Sequence, residues 1–255
     1  METNSARGTA ESPNFTTTRR SLILSCGKGE EAEAKAQQAL TELCRAYWRP
    51  VFAFICRRGY SVPDAQDLTQ DFFVTLLNGN LLKLADPNRG RFRSLLCTSL
   101  KNFLADQYDK ANREKRGGRI QFIAWDDWMA EAPSQLSLAR QDLATWTAER
   151  IFDFRWAATV VEQSLRRLSD ECARRGKLRM FTLLSNYLIA DRLEISYASL
   201  STSLGVPEAA IKRLLHSLRS RFRAILREEV SQTLNNPADI DDEIRHLCGA
   251  LASEM

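Results

Sequence analysis

Residues 196 to 225 read SYASLSTSLGVPEAAIKRLLHSLRSRFRAI, and this stretch decides the fold of the C-terminal half. Ser196 to Leu204 has helical spacing, with Leu200 and Leu204 on the inward side. Gly205-Val206 then makes a turn, because glycine enters the left-handed backbone that ends a helix at least cost. A second helix starts at Pro207-Glu208, where a missing N–H leaves no helical bond unmade. Its apolar seam is Ile211, Leu214, Leu215, Leu218, Phe222 and Ile225. Helix, glycine-bearing turn and helix form a helix-turn-helix arrangement. The second helix exposes Lys212, His216, Arg219 and Arg223 on one side, with Arg213 and Ser217 adjacent.

Such a face suits duplex DNA. Glu208, Ala209 and Lys212, early in the helix, are expected at base edges, and the later arginines on phosphates. The charge is local. The 255-residue chain carries a net +4, whereas Gly205 to Glu228 alone holds six Lys/Arg against two Glu. A second basic block runs from Arg89 to Arg119, with nine Lys/Arg against three acids. Two such blocks point to two separate polyanion contacts. The first is interleaved with Phe92, Phe103 and Tyr108. Phe92 and Phe103 belong to a core seam with Leu96 and Leu100, while Tyr108 lies off it. Tyr108 is therefore the candidate for stacking on a splayed base of an unpaired strand.

The remaining pattern is also helical. Leu40, Leu43, Tyr47, Val51 and Ile55 recur at helical spacing, with Pro50 a kink or break and Gly59 a cap. Ser61 and Asp64 stand in the S-x-x-D relation of a helix start. The helix they open buries Ala65, Leu68, Phe72 and Leu76, and carries Asp64, Asp67 and Asp71 as one acidic stripe. Repulsion within the stripe costs helix stability, so it is either a solvated face or the mate of a basic partner. Asp86 to Gly90 is turn chemistry, and Gly117-Gly118 ends the basic helix. Trp125, Asp126, Asp127, Trp128, Met129, Glu131 and Pro133 follow without clear period. A second helical region is marked by Phe152, Trp156, Val160, Leu165 and Leu168, then Met180, Leu183, Leu184 and Tyr187. With 11 Gly, 7 Pro and little period-2 alternation, the chain reads as all-α.

The expected organisation is a disordered leader (1–18), a first helical domain (19–118), an extended linker (119–148), a helix-turn-helix domain (149–232) and an acidic tail (233–255). The tail reading rests on Asp239, Asp241, Asp242, Glu243 and Glu254 against Arg245. Six scattered cysteines without a C-x-x-C pair, and only two histidines, of which His246 alone lies near a cysteine (Cys248), argue against a metal site or a disulfide framework. Buried or partly buried free thiols are expected instead. No phosphate loop or hydrolase elbow occurs, so no cofactor and no catalytic residue is expected. Lacking a secretory signal and any long apolar run, the chain is expected in the cytoplasm, outside the membrane.

Three segments resemble bacterial RNA polymerase sigma factors of the extracytoplasmic-function group. Asp64-Ala65-Gln66-Asp67-Leu68-Thr69-Gln70-Asp71-Phe72-Phe73 is similar to the helix that grips the polymerase clamp. Ser99-Leu100-Lys101-Asn102-Phe103-Leu104-Ala105-Asp106 resembles the minus-ten recognition helix, and the basic run follows it as in the family. Ser196-Tyr197, Leu204-Gly205-Val206 and Ile211 to His216 resemble the minus-thirty-five helix-turn-helix. The likeness covers roughly 35–118 and 150–230, in the family's order. It implies a region 2-like bundle and a region 4-like helix-turn-helix domain. Core polymerase would meet Asp64, Asp67, Gln70 and Asp71. Lys101, Asn102, Asp106, Tyr108, Arg113, Lys115 and Arg116 would form the melted minus-ten surface. Glu208, Lys212, Arg213, His216, Arg219 and Arg223 would meet the minus-thirty-five duplex. The implied partners are core RNA polymerase, promoter DNA and an anti-sigma factor. Three features depart from the family: a longer interdomain segment, Pro207 in place of a hydroxyl cap, and Ala209 in place of a frequent glycine. A helix-turn-helix regulator acting without polymerase, and a helical adaptor of polymerase that reads no DNA, are the rival readings.

Overall fold

A computed structural model describes residues 46–78, 91–114, 145–188, 195–234 and 236–252, without the side chains of 77–78 and 110–114. These residues are helical, and no strand occurs among them. Helix α1 covers 46–57 and carries Pro50 without ending there. It closes at Gly59, whose φ of 95° lies in the region glycine favours. Then follow α2 (Val62–Asn78), α3 (Phe92–Glu114), α4 (Ala148–Arg174) and α5 (Leu178–Leu184), the last running into a 3-10 turn at Ser185–Tyr187. The C-terminal part holds α6 (Tyr197–Leu204), α7 (Glu208–Ser231), a 3-10 turn at Pro237–Asp239 and α8 (Ile240–Leu251).

The expected start of α2 is present. Ser61 Oγ accepts the Asp64 amide at 3.2 Å and donates to the Asp64 carboxylate at 2.6 Å. Ala65, Phe72 and Leu76 are buried and Leu68 half-buried, joined by Thr69 and Phe73. On α3, Phe92, Leu96, Leu100 and Phe103 are all buried, as their spacing requires. Aromatic contacts then knit the first helices together. Tyr47 of α1 meets Phe92 edge-on at 5.4 Å and stacks on Phe152 of α4 at 6.4 Å. Phe72 of α2 meets Phe103 of α3 at 5.5 Å.

Helix α4 organises the molecule. From Ile151 to Val161 it is buried on almost every side, and Trp156 has no exposed surface. A helix apolar around most of its circumference must be enclosed by others. Its N-terminal half packs on α1 through Phe152 and meets α3 through Arg93, which pairs with Asp153, and its C-terminal half is tied to α7 by charge. Arg221 of α7 makes a two-pronged contact with Glu171, at 2.8 and 2.6 Å. Arg167 reaches Glu229 at 3.1 Å and also pairs with Glu228. One continuous cluster of buried side chains runs from Ala46 to Leu247.

Two segments behave otherwise than their sequence suggests. Most of the expected linker, 119–144, lies outside the described residues, as do the leader and the Asp86–Gly90 turn. Trp146 does not: it is 5% exposed, packs on Phe154 at 5.6 Å and offers its carbonyl to Arg57 Nε at 2.7 Å. Thr147 then caps α4 by accepting the Arg150 amide. The acidic tail is likewise a helix with an inside. Leu247 and Glu243 are each 1% exposed, and α8 packs against α4 and α7. Glu243 is buried because Arg93 and Arg91 of the first basic block meet it, at 3.2 and 2.9 Å. Asp241 pairs in turn with Arg227 near the end of α7.

Four cysteines are described, all with free thiols. Cys56 and Cys172 are buried and Cys97 is half-buried, but Cys248 is exposed, against the expectation of burial. No described helix is long and apolar enough to cross a membrane.

Candidate nucleic-acid interface

The helix-turn-helix forms where its residues place it. Gly205 takes a φ of 69° and gives its amide to Ser201 O at 2.9 Å, closing α6. Ser201 Oγ donates to Val206 O at 2.6 Å, a bond across the turn that the sequence reading missed. Pro207 occupies the cap of α7 and supplies no side-chain acceptor, so the first α7 amides rely on its carbonyl: Ala210 and Ile211 donate to it at 2.8 and 3.1 Å. The seam from Ile211 to Ile225 is buried, with Leu214 half-buried, leaving the basic side outward.

Its candidate residues divide into distinct groups. Lys212, Arg213, His216, Arg223 and Glu208 are exposed. Arg219 is half-buried and committed: its guanidinium donates to Tyr187 O at 2.8 Å and Leu188 O at 3.1 Å. It therefore ties α7 to the end of the 3-10 turn, where unpaired carbonyls attract a cation. Arg221 and Arg227, counted in the basic block, are taken by Glu171 and Asp241. The Arg221 guanidinium is driven still further up by its bonds to Glu171. Lys212 lies over the ring of Tyr197, its Nζ 5.0 Å from the centroid. Tyr197, Lys212, Leu215, His216, Arg219 and Arg223 line an open groove of about 510 Å³.

The second candidate surface lies on α3. Asn102, Asp106 and Tyr108 are exposed, and Tyr108 at 57% is among the most exposed large apolar side chains described. Arg113 lies on α3 without a described side chain, and Lys115 and Arg116 lie outside the described residues. The basic block loses part of its charge to internal partners. Lys101 Nζ sits 2.8 Å from Glu149 Oε1 at the start of α4, and this bond raises the ammonium's pKa and lowers the carboxyl's. Arg93 is buried, pairs with Asp153 and Glu243, and stands 5.3 Å over the Trp156 ring. Sequence distance hid both arrangements: Lys101 and Glu149 are 48 positions apart.

The acidic stripe of α2 is fully presented. Asp64, Asp67, Gln70 and Asp71 are all exposed. Val74, also exposed at 52%, falls one turn beyond Gln70 on the same side. An apolar side chain within a charged stripe is the signal that sequence reading passed over. Among the described residues, no three of His, Cys, Asp and Glu gather in a way that would hold a metal ion. No protein-family model matches the chain, and no curated protein or solved structure matches it either.

Proposed function

We propose that this chain is a sigma factor-like subunit that joins core RNA polymerase to promoter DNA and supports strand opening without covalent chemistry. One observation carries the reading. Three chemically distinct surfaces are solvent-facing and follow one another in the family's order: the α2 acidic stripe, the α3 face of Asn102, Asp106 and Tyr108, and the α7 cations. In this reading α2 meets the polymerase, α3 stabilises unstacked bases of one strand, and α6–α7 sits on the duplex. The region 2-like and region 4-like division, an anti-sigma partner and residence in the cytoplasm belong to the same proposal. The test is to mix the purified chain with core polymerase and score transcription from fragmented genomic DNA. Specific transcripts are expected, and absence of core binding would overturn the reading.

A second reading is favoured by the shared core. Helix α4 binds both halves into one packed cluster, and three cations of the first basic block already hold acids. That favours a helix-turn-helix regulator that grips duplex DNA by α7 alone. It predicts stable duplex binding without polymerase, which the sigma-like reading does not.

A further inference from the structure

We propose that the chain associates with a second copy of itself, head to tail, joining the basic turn at residues 174–179 of one copy to the acidic face of α2 of the other. The inference goes beyond the promoter reading and needs no polymerase. Arg174, Arg175, Lys177 and Arg179 are all exposed, and Leu178 among them is 47% exposed. The turn that carries them is held fast. Gly176 takes a φ of 66°, its amide reaches Ala173 O at 2.9 Å, and the Lys177 amide reaches Cys172 O at 2.8 Å. The Arg174 and Arg179 guanidiniums donate to main-chain carbonyls, of Asp170 at 3.3 Å and Ser203 at 3.2 Å. Glu171, in the preceding turn, is already taken by Arg221. Among the described residues, none of the four cations has a carboxylate as its ion-pair partner.

The face of α2 is the counterpart. Val62–Asn78 contains three acids and no Lys, Arg or His. Asp64, Asp67 and Asp71 are exposed, and Val74 is exposed beside them. A single exposed aliphatic side chain is ordinary. Here, however, each one sits within charges of a single sign, and the two signs are opposite. Nucleic acid would answer the four cations but set Leu178 against a hydrated sugar-phosphate backbone. An acidic helix with one aliphatic side chain answers both, and α2 is such a helix. Scale agrees as well: Asp64 to Val74 spans about 15 Å, and residues 174–179 no more than about 18 Å. Both faces are open to solvent in the one chain, so they do not close on each other within it. Two unlike patches make a heterologous contact, which adds copies in a row unless it closes into a ring. The contact also covers the stripe assigned above to polymerase, so a second copy and polymerase exclude one another there.

So small a patch falls short of the roughly 800 Å² per partner of a stable complex, and a Kd on the order of 0.1 mM is expected. Sedimentation equilibrium of the full chain, alone, measures it at about 50 and about 500 mM KCl. The mean mass is expected to rise with concentration at the lower salt and to fall back toward the monomer at the higher. Two neutralised variants separate the faces: Asp67→Asn with Asp71→Asn, and Arg175→Gln with Lys177→Gln. Each alone is expected to associate about tenfold more weakly than the parent, or worse. Mixed, each supplies the face that the other lacks, so dimers of one with the other, and nothing larger, are expected. Both variants keep a net positive charge, so general attraction does not bring them together. Leu178→Ser keeps every charge and should weaken the parent's association by roughly threefold or more. Arg245→Gln, on α8, is the control for lost charge and should match the parent. Far-ultraviolet dichroism on each variant verifies that the helices persist. A parent that stays monomeric at about 0.3 mM and low salt would overturn the proposal. So would association that survives either pair of substitutions, or variants that fail to pair when mixed. With no polymerase present, every one of these outcomes is separate from the fate of the promoter reading.

Discussion

Glu243 of α8 and Arg93 of α3, 150 residues apart, form a buried ion pair, with Arg93 Nε donating to Glu243 Oε1 at 3.2 Å. Arg91 Nε approaches the other carboxylate oxygen at 2.9 Å, but without the alignment of a hydrogen bond, so its contribution is chiefly Coulombic. Removing one member of a buried pair strands the other's charge. Glu243→Ala is therefore expected to cost about 3–5 kcal/mol. Urea unfolding followed by dichroism measures it, and a loss below about 1 kcal/mol would show that Asp153, which Arg93 already holds, suffices for its charge.

Lys101 and Glu149 form a half-exposed pair, worth about 0.2–1 kcal/mol after solvent screening. The Lys101 bond lowers the folded Glu149 pKa. That contribution is present above the unfolded carboxyl pKa and fades as pH falls through the lowered one. The folded Lys101 pKa is raised by the same bond, so its contribution holds below the unfolded value and fades as pH rises through the raised one. A double-mutant cycle with Lys101→Gln and Glu149→Gln should give a coupling at pH 7 that vanishes near pH 2. Freed of its partner, Lys101 should also bind a single-stranded oligonucleotide more tightly in Glu149→Gln, by roughly 1.5- to 5-fold.

Gly205 offers a cleaner backbone experiment. An added Cβ would meet nothing within 4 Å, so the whole cost of Gly205→Ala comes from the φ of 69°. About 1–2 kcal/mol of lost stability is expected. Gly205→Asn should lose less, since asparagine enters that region more readily. Thermal unfolding of the two variants orders them.

The cysteines should separate by reactivity. Burial pushes the Cys56 thiol up to about 12, so at pH 8 it is protonated as well as covered. Burial raises Cys97 and Cys172 too, whereas Cys248 is exposed on α8. Iodoacetamide at pH 8 with peptide mapping should label Cys248 within minutes and leave Cys56 unmodified until denaturant is added.

Much of this was legible in the sequence because the signal was local. The four-residue beat of Phe92, Leu96 and Leu100 fixed the buried face of α3, and Gly205 between two leucine seams fixed the turn. What failed was non-local. Counting charges made 233–255 a tail, although Ile240, Ile244, Leu247 and Leu251 recur at helical spacing within it. Its acids looked solvated because Arg91 and Arg93 stand so far upstream. Trp146 was lost among irregular aromatics because its partners, Arg57 and Phe154, flank it at different distances. On α7, period alone identified the outward cations but not that Arg219 would turn back onto carbonyls. Exposure is a pattern, whereas commitment to a partner is a fact of three-dimensional packing.

The enclosure of α4 bears on how this chain can be cut and recombined. A fragment beginning at residue 145 would keep the helix-turn-helix but turn Phe152 outward, once Tyr47 and Phe54 no longer cover it. A fragment ending before 145 would leave the opposite scar. Neither half is a cassette. Grafting α6–α7 onto another protein therefore requires taking α4 with it and refilling its N-terminal flank. By the same logic, heat or denaturant should melt the described helices in one transition, with no stage at which one half stands alone.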